Sequence, residues 1–173
     1  VNALADQRVA DYFNDTFVCT YLKVGTFQII GGQKVGGNVA SYWCLADGSV
    51  LHAVPGKMEA NKLLMEARWA YETRKAALTH CTNLVTGDPS MKKYESFVKK
   101  AHTERYYAEL HPGAARSQSE RALPMAMPAA RTQQAQAHWL LARNPLDKID
   151  SVYPIVWTQI LREQLSGLPV EQR

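Results

Sequence analysis

The sequence predicts an α/β domain over residues 1–85 followed by an all-helical extension over residues 86–173. Three observations carry that reading. β-Branched and aromatic residues alternate with Gly-rich turns between about residues 16 and 54. From about Lys57 onward apolar residues recur every three or four positions. A Pro- and Ala-rich stretch at 111–131 divides the helical half. The chain has 173 residues, 46% hydrophobic and 21% charged, which suits a soluble globular protein and excludes a disordered one.

Residues 2–14 are expected to be helical, with Leu4, Val9, Tyr12 and Phe13 near one face. Asn14-Asp15 breaks that helix. Thr16 to Val24 reads as a strand whose weak alternation suits burial on both faces. Thr26 to Ile30 reads as a short strand or turn. Residues 31–38, Gly-Gly-Gln-Lys-Val-Gly-Gly-Asn, carry four glycines and read as a loop needing positive φ. The segment fits neither G-x-G-x-x-G nor G-x-x-x-x-G-K-[ST], so it lacks the signature of a phosphate cradle. Val39 to Leu45 and Ser49 to Val54 form a hairpin about Ala46-Asp47-Gly48. After Pro55-Gly56, a helix is predicted over 57–81. Its apolar stripe is Leu63, Ala67, Ala70, Ala77 and Cys81, and Glu59, Glu66, Arg68, Glu72 and Lys75 lie opposite.

Thr86-Gly87-Asp88-Pro89 reads as a linker. Ser90 caps a basic helix to about Leu110. Residues 111–131 read as an extended loop held to the first domain by Leu123, Met125 and Met127. A helix follows over 132–143, ended by Asn144-Pro145. Asp150 or Ser151 is expected to cap a last helix to about Leu165, with Pro154 in its first turn, where the missing N–H is harmless.

The net charge of +4 is spread along the chain, and Lys92-Lys93 and Lys99-Lys100 read as a solvated helix face rather than a nucleic-acid patch. No apolar run reaches the roughly 18 residues of a membrane span. The chain starts at Val1, the pattern expected of an exported, processed protein. Cys19, Cys44 and Cys81 make no C-x-x-C and no zinc doublet; three buried thiols are expected, against one disulfide and a free thiol. No cofactor is expected. A metal or haem site using His80, Cys81 and another histidine stands as a further reading; a metal would need two more ligands, for which His52 and His102 are available if the fold brings them in.

Val9-Ala10-Asp11-Tyr12-Phe13-Asn14-Asp15-Thr16-Phe17-Val18 looks like a helix running into a strand, and Tyr42-Trp43-Cys44-Leu45-Ala46-Asp47-Gly48-Ser49-Val50 like a hairpin. With Val54-Pro55-Gly56 and the long helix after it, this order resembles the thioredoxin-like superfamily beyond its active-site helix. Gly36-Gly37-Asn38-Val39-Ala40-Ser41-Tyr42 is also similar to a segment of bacterial thioredoxin-like proteins. The resemblance covers residues 2–82 and implies a three-layer sandwich, here without its first strand.

Two features of that family are missing. Its oxidoreductases carry Cys-x-x-Cys at a helix N-terminus, which lowers the thiol pKa and supplies the attacking thiolate; that position would fall at or before Val1. They also carry a cis-proline before the hairpin, near Asn38, Val39 or Ala40, where no proline stands. The resemblance therefore implies a non-catalytic binding or structural module, with a thiol-disulfide oxidoreductase whose Cys-x-x-Cys lies upstream as the alternative. A protein partner or a homo-oligomer is expected. Trp69, Tyr106, Tyr107, Trp139 and Trp157 are the candidate partner-surface residues, since Trp and Tyr are enriched at binding hot spots; the competing reading packs them between the two halves.

Overall fold

The computed structural model describes residues 3–25, 27–82, 90–113, 122–129, 132–166 and 171–172. The predicted linker at 86–89 lies outside them, as do Val1, Thr26 and residues 114–121 of the Pro/Ala-rich stretch. The chain is mixed α/β.

The first helix, α1 (Gln7–Thr16), starts later than the sequence predicts. Asp6 is its N-cap and accepts from the Arg8 N–H, satisfying a donor that has no partner within the helix. Leu4 falls outside it, in a separate 3₁₀ turn (Ala3–Ala5), and is exposed. Val9 is buried in an apolar cluster against which Tyr12, Phe13 and Phe17 also pack.

Of the predicted strand at 16–24 only β1 (Leu22–Lys23) forms, paired with β6 (Glu171–Gln172). A strand needs a neighbour for its backbone groups, and residues 17–21 belong to no ladder among the described residues. The Gly-rich stretch is not wholly a loop. Strands β2 (Phe27–Ile30) and β3 (Gln33–Gly36) pair through it. Gly31 and Gly32, at φ of 57° and 77°, make the two-residue turn between them, a connection that needs positive φ at both positions.

The central element is the hairpin of β4 (Ala40–Cys44) and β5 (Val50–Pro55). Asp47 accepts from the Ser49 N–H inside the turn and Gly48 takes φ of 82°. The register slips between Trp43 and Cys44: Trp43 faces His52 while Cys44 faces Val50, which leaves Leu51 as the extra residue of a bulge. The slip interrupts simple alternation. Leu51 and Val54 join the apolar cluster of the long helix α2 (Ala60–Cys81), whereas Val50 and Ala53 join that of the C-terminal helices. Every residue of β5 is buried.

Leu63, Leu64, Ala67, Ala70, Ala77 and Cys81 of α2 cover one side of the hairpin. Helix α3 (Met91–Leu110) packs along α2 through Tyr94 and Val98, with the Ser90 hydroxyl accepting from the Lys93 N–H as the sequence predicts. Helix α4 (Gln133–Arg143) is capped by Thr132, whose hydroxyl accepts from the Ala135 N–H. It lies against α3 and β5 and buries Ala135, Ala137, Trp139, Leu140 and Leu141.

The last helix, α5 (Ile149–Ile155), begins after Lys148 rather than at a capping Asp150 or Ser151. Asp150 sits in its first turn, where a carboxylate suits the helix dipole. Pro154 is therefore the sixth helical residue and falls beyond the first turn. Its ring removes one hydrogen-bond donor, and α5 continues as a π-helical turn (Val156–Ile160), closed by Leu161 N–H donating to the Val156 carbonyl. The helix stops there, short of Leu165, with Arg162 at φ of 59°. Leu123 and Met127 pack on the second cluster, which is built mostly from the C-terminal helices rather than from residues 1–85, and Met125 is exposed.

Two of the three thiols depart from expectation. Cys81 is buried, but Cys19 and Cys44 are exposed, because the strand around Cys19 does not form and Cys44 ends β4. No helix among the described residues is long and apolar enough to cross a membrane.

Candidate functional site

The structure brings together a set of polar side chains in the interior. His52 of β5, His102 of α3 and His138 of α4 meet where these elements converge on α2, and all three are completely buried. One nitrogen from each lies within 4.8 Å of the other two. Trp43 stacks on His52 at 5.2 Å between ring centroids, and Trp69 of α2 meets all three imidazoles edge-on at 4.6 to 5.8 Å.

The hydrogen-bond partners fix the tautomers. His102 Nε2–H donates to the Leu51 carbonyl at 2.9 Å, so its Nδ1 carries a lone pair. That nitrogen lies 2.9 Å from His138 Nδ1, which must be the protonated partner. His138 Nε2 then accepts from the Gln134 amide at 3.2 Å, and the same amide nitrogen donates to the Ala53 carbonyl. One chain of neutral donors thus runs from helix α4 through both rings to the bulged strand.

His52 belongs to a second branch. Its Nε2–H donates to Glu66 at 3.0 Å, and Arg105 of α3 pairs with the same carboxylate oxygen at 3.0 Å. The Arg105 guanidinium also lies 4.7 Å above the Trp69 ring. Glu66 is buried, a departure from its predicted place on the solvated face of α2. The reason is that α3 flanks α2 there and supplies Arg105. His52 Nδ1 is left without a partner, as is Gln134 Oε1 on the other branch.

Burial holds all three imidazoles neutral. It pushes His102 down to about 3, assisted by the charge repulsion of His52, with Arg105 adding to the effect. Burial likewise lowers His138 well below the ordinary histidine range, and it lowers His52 despite the opposing Glu66 bond. For Glu66, burial alone would favour protonation. The His52 bond and Arg105 together outweigh it and keep the carboxyl below its usual range. The His52–Glu66 contact is therefore a neutral imidazole donating to a carboxylate, and Arg105 balances the charge.

The sequence-predicted residues divide. His52 and His102 do meet, but with His138 rather than with His80 and Cys81. His80 is exposed and rests against Phe97. Among the aromatics, Tyr106, Trp139 and Trp157 are buried in the interior. Trp139 donates to the Pro124 carbonyl, and Trp157 closes against Gly25 so tightly that a β-carbon there would sit 2.6 Å from its ring. Tyr107 is half-buried and donates to the Ala122 carbonyl. Trp69, also half-buried, packs on the histidines.

His138, Glu66 and Gln134 escape sequence reasoning. A usable signal does exist for two of them. Gln134 and His138 stand four residues apart in a helix that is otherwise Ala, Leu and Trp along its buried face, the spacing of a mutually satisfied polar pair.

Compared with protein-family models, with curated proteins and with solved structures, the chain finds no match.

Proposed function

We propose that the chain is a non-catalytic, thioredoxin-like binding module whose contact surface is the strand-rich segment of residues 17–30. The observation that carries this reading is the exposure of apolar, strand-forming side chains there. Val18, Tyr21, Leu22, Ile29 and Ile30 all stand in solvent, and Ile29 is 70% exposed. Exposed apolar side chains gathered in one stretch of chain suit an interaction surface. The Asp-Gly hairpin followed by Pro55-Gly56 and α2 supports the thioredoxin-like part of the proposal.

A second copy of the chain is the occupant that the surface fits most simply, since the same apolar face on two copies can pack together about a two-fold axis. Light scattering combined with hydrogen exchange across a dilution series tests it. Concentration-dependent dimers with protection confined to residues 17–30 are the expected outcome. A monomer whose exchange there is indifferent to concentration counts against self-pairing. Insulin-disulfide reduction that disappears on blocking the thiols would overturn the non-catalytic reading.

A further inference from the structure

We propose that His52, His102 and His138 form a metal site that binds one divalent zinc ion through their three Nδ1 atoms. The observation that starts the argument is the unpartnered His52 Nδ1, a fully buried lone pair beside two other imidazoles. A buried acceptor without a donor costs stability unless something occupies it. No charged or donating side chain among the described residues fills that role.

The outer contacts are those of metal-bound histidines. A ligating imidazole ordinarily donates its other N–H to a carboxylate or a backbone carbonyl, which fixes the ring and directs the lone pair inward. His52 donates to Glu66 and His102 donates to the Leu51 carbonyl. Both therefore present Nδ1 lone pairs before any ion arrives.

The third ring needs one rearrangement. His138 carries its proton on Nδ1 and donates it in a hydrogen bond to His102 Nδ1. Binding requires that proton to move to Nε2, with no net loss from the protein. Gln134 can accept a hydrogen bond from the new Nε2–H. Its Oε1 is buried and unpartnered, so turning the amide replaces a donor at His138 Nε2 with an acceptor, at the cost of its bond to the Ala53 carbonyl.

The spacing fits. Zinc–nitrogen bonds of about 2.0–2.1 Å in a tetrahedral array place ring centroids about 5.2 Å apart. The three pairs here stand at 5.1, 5.4 and 5.8 Å. One nitrogen from each ring lies within 4.8 Å of the other two, and His102 Nδ1 and His138 Nδ1 are 2.9 Å apart; tetrahedral binding sets such nitrogens at about 3.3 Å. Three neutral imidazoles and no thiolate favour a borderline ion such as zinc, and a carboxylate-preferring ion such as magnesium or calcium lacks its ligands. The Glu66 carboxylate behind His52 supplies negative charge one bond further out.

The test uses the whole chain stripped with chelator. Zinc alone should bind at one ion per chain and raise the melting temperature. Cobalt(II) alone should give the visible bands of a tetrahedral site, bleached by added zinc. In ¹⁵N spectra of labelled histidine, the Nδ1 signals of three rings should move together. His52→Gln, His102→Gln and His138→Gln should each abolish the cobalt bands, and Glu66→Gln should weaken zinc binding by about 10–100-fold while leaving one site. Should a ligand variant fail to fold, the cobalt spectrum and the ¹⁵N shifts of the unaltered chain still decide. A melting temperature indifferent to excess zinc together with a featureless cobalt spectrum would sink the proposal. So would stoichiometric binding that survives all three ligand substitutions, which would place the ion at exposed His80 or His111.

Discussion

The region around β5 and the region from Phe17 to Ile30 invert each other's chemistry. In the first, three imidazoles, a carboxylate and an amide occupy an interior that apolar side chains would ordinarily fill. In the second, valine, leucine, tyrosine and isoleucine stand in water. A buried polar group depends on its partners and is intolerant of change. An exposed apolar residue contributes little to the fold and changes freely. Stability should therefore concentrate in the polar interior, and association in the apolar surface.

Glu66→Ala tests that division most severely. It leaves His52 without an acceptor and Arg105 facing the interior without a counter-charge, so a loss of about 3 kcal/mol is expected in urea unfolding. Acid comes next. In the metal-free chain His102 titrates near 6.5 when unfolded but only near 3 in the fold. Its contribution is complete above the unfolded value and drains away as the pH falls from there toward 3. Between pH 6.5 and 5 this one ring accounts for about 2 kcal/mol. His52 and His138 act in the same direction, and Arg105 and Lys62 reinforce it by repelling the incoming protons. Glu66, held low by His52 and Arg105, adds to the loss only at still lower pH. Unfolding midpoints measured across that range would blur the contrast between the regions if they failed to fall.

Substitutions in the apolar region should behave otherwise. Ile29→Lys with Ile30→Lys is expected to move stability by no more than about 0.5 kcal/mol while abolishing concentration-dependent association. A large drop in stability would show that these side chains support the fold after all. The smallest effect belongs to Lys148→Ala. The ammonium donates to the Asp47 carboxylate at 2.6 Å, but both groups are largely exposed. The urea midpoint should stay put, and hydrogen exchange at the 46–49 turn should quicken slightly.

Much of the secondary structure is legible in the chain. Ser90, the Asp47-Gly48 turn and the apolar stripe of α2 specify their elements by local chemistry, and the structure follows them. The failures have a common physical cause, which is that local pattern does not report what lies across the element. Thr16 to Val24 has strand composition, yet a strand forms only where a neighbour pairs with it. Gly31-Gly32 looked like part of a loop because the flanking runs are short, although paired glycines between β-formers are a hairpin signal. Glu66 reads as solvated on the helical wheel, and only the approach of α3 makes it buried. The histidine cluster is the extreme case. Its members are 50 and 36 residues apart, in a strand and two helices, and no spacing rule joins them.

The hairpin also sets an order of events in time. The Leu51 carbonyl waits for His102, the Ala53 carbonyl for Gln134, and the Asp47 turn for Lys148, separations of 51, 81 and 101 residues. Val50 N–H likewise donates to the Asp147 carbonyl, and Ile149 N–H donates to that of Gly48. Contacts so distant along the chain carry a loop-closure cost before they return any stability, and they slow folding. During synthesis β5 emerges with its second side uncovered, and Gln134 of the helix that covers it follows Ala53 by 81 residues. The native interior therefore closes late, and until then an apolar hairpin is open to wrong partners.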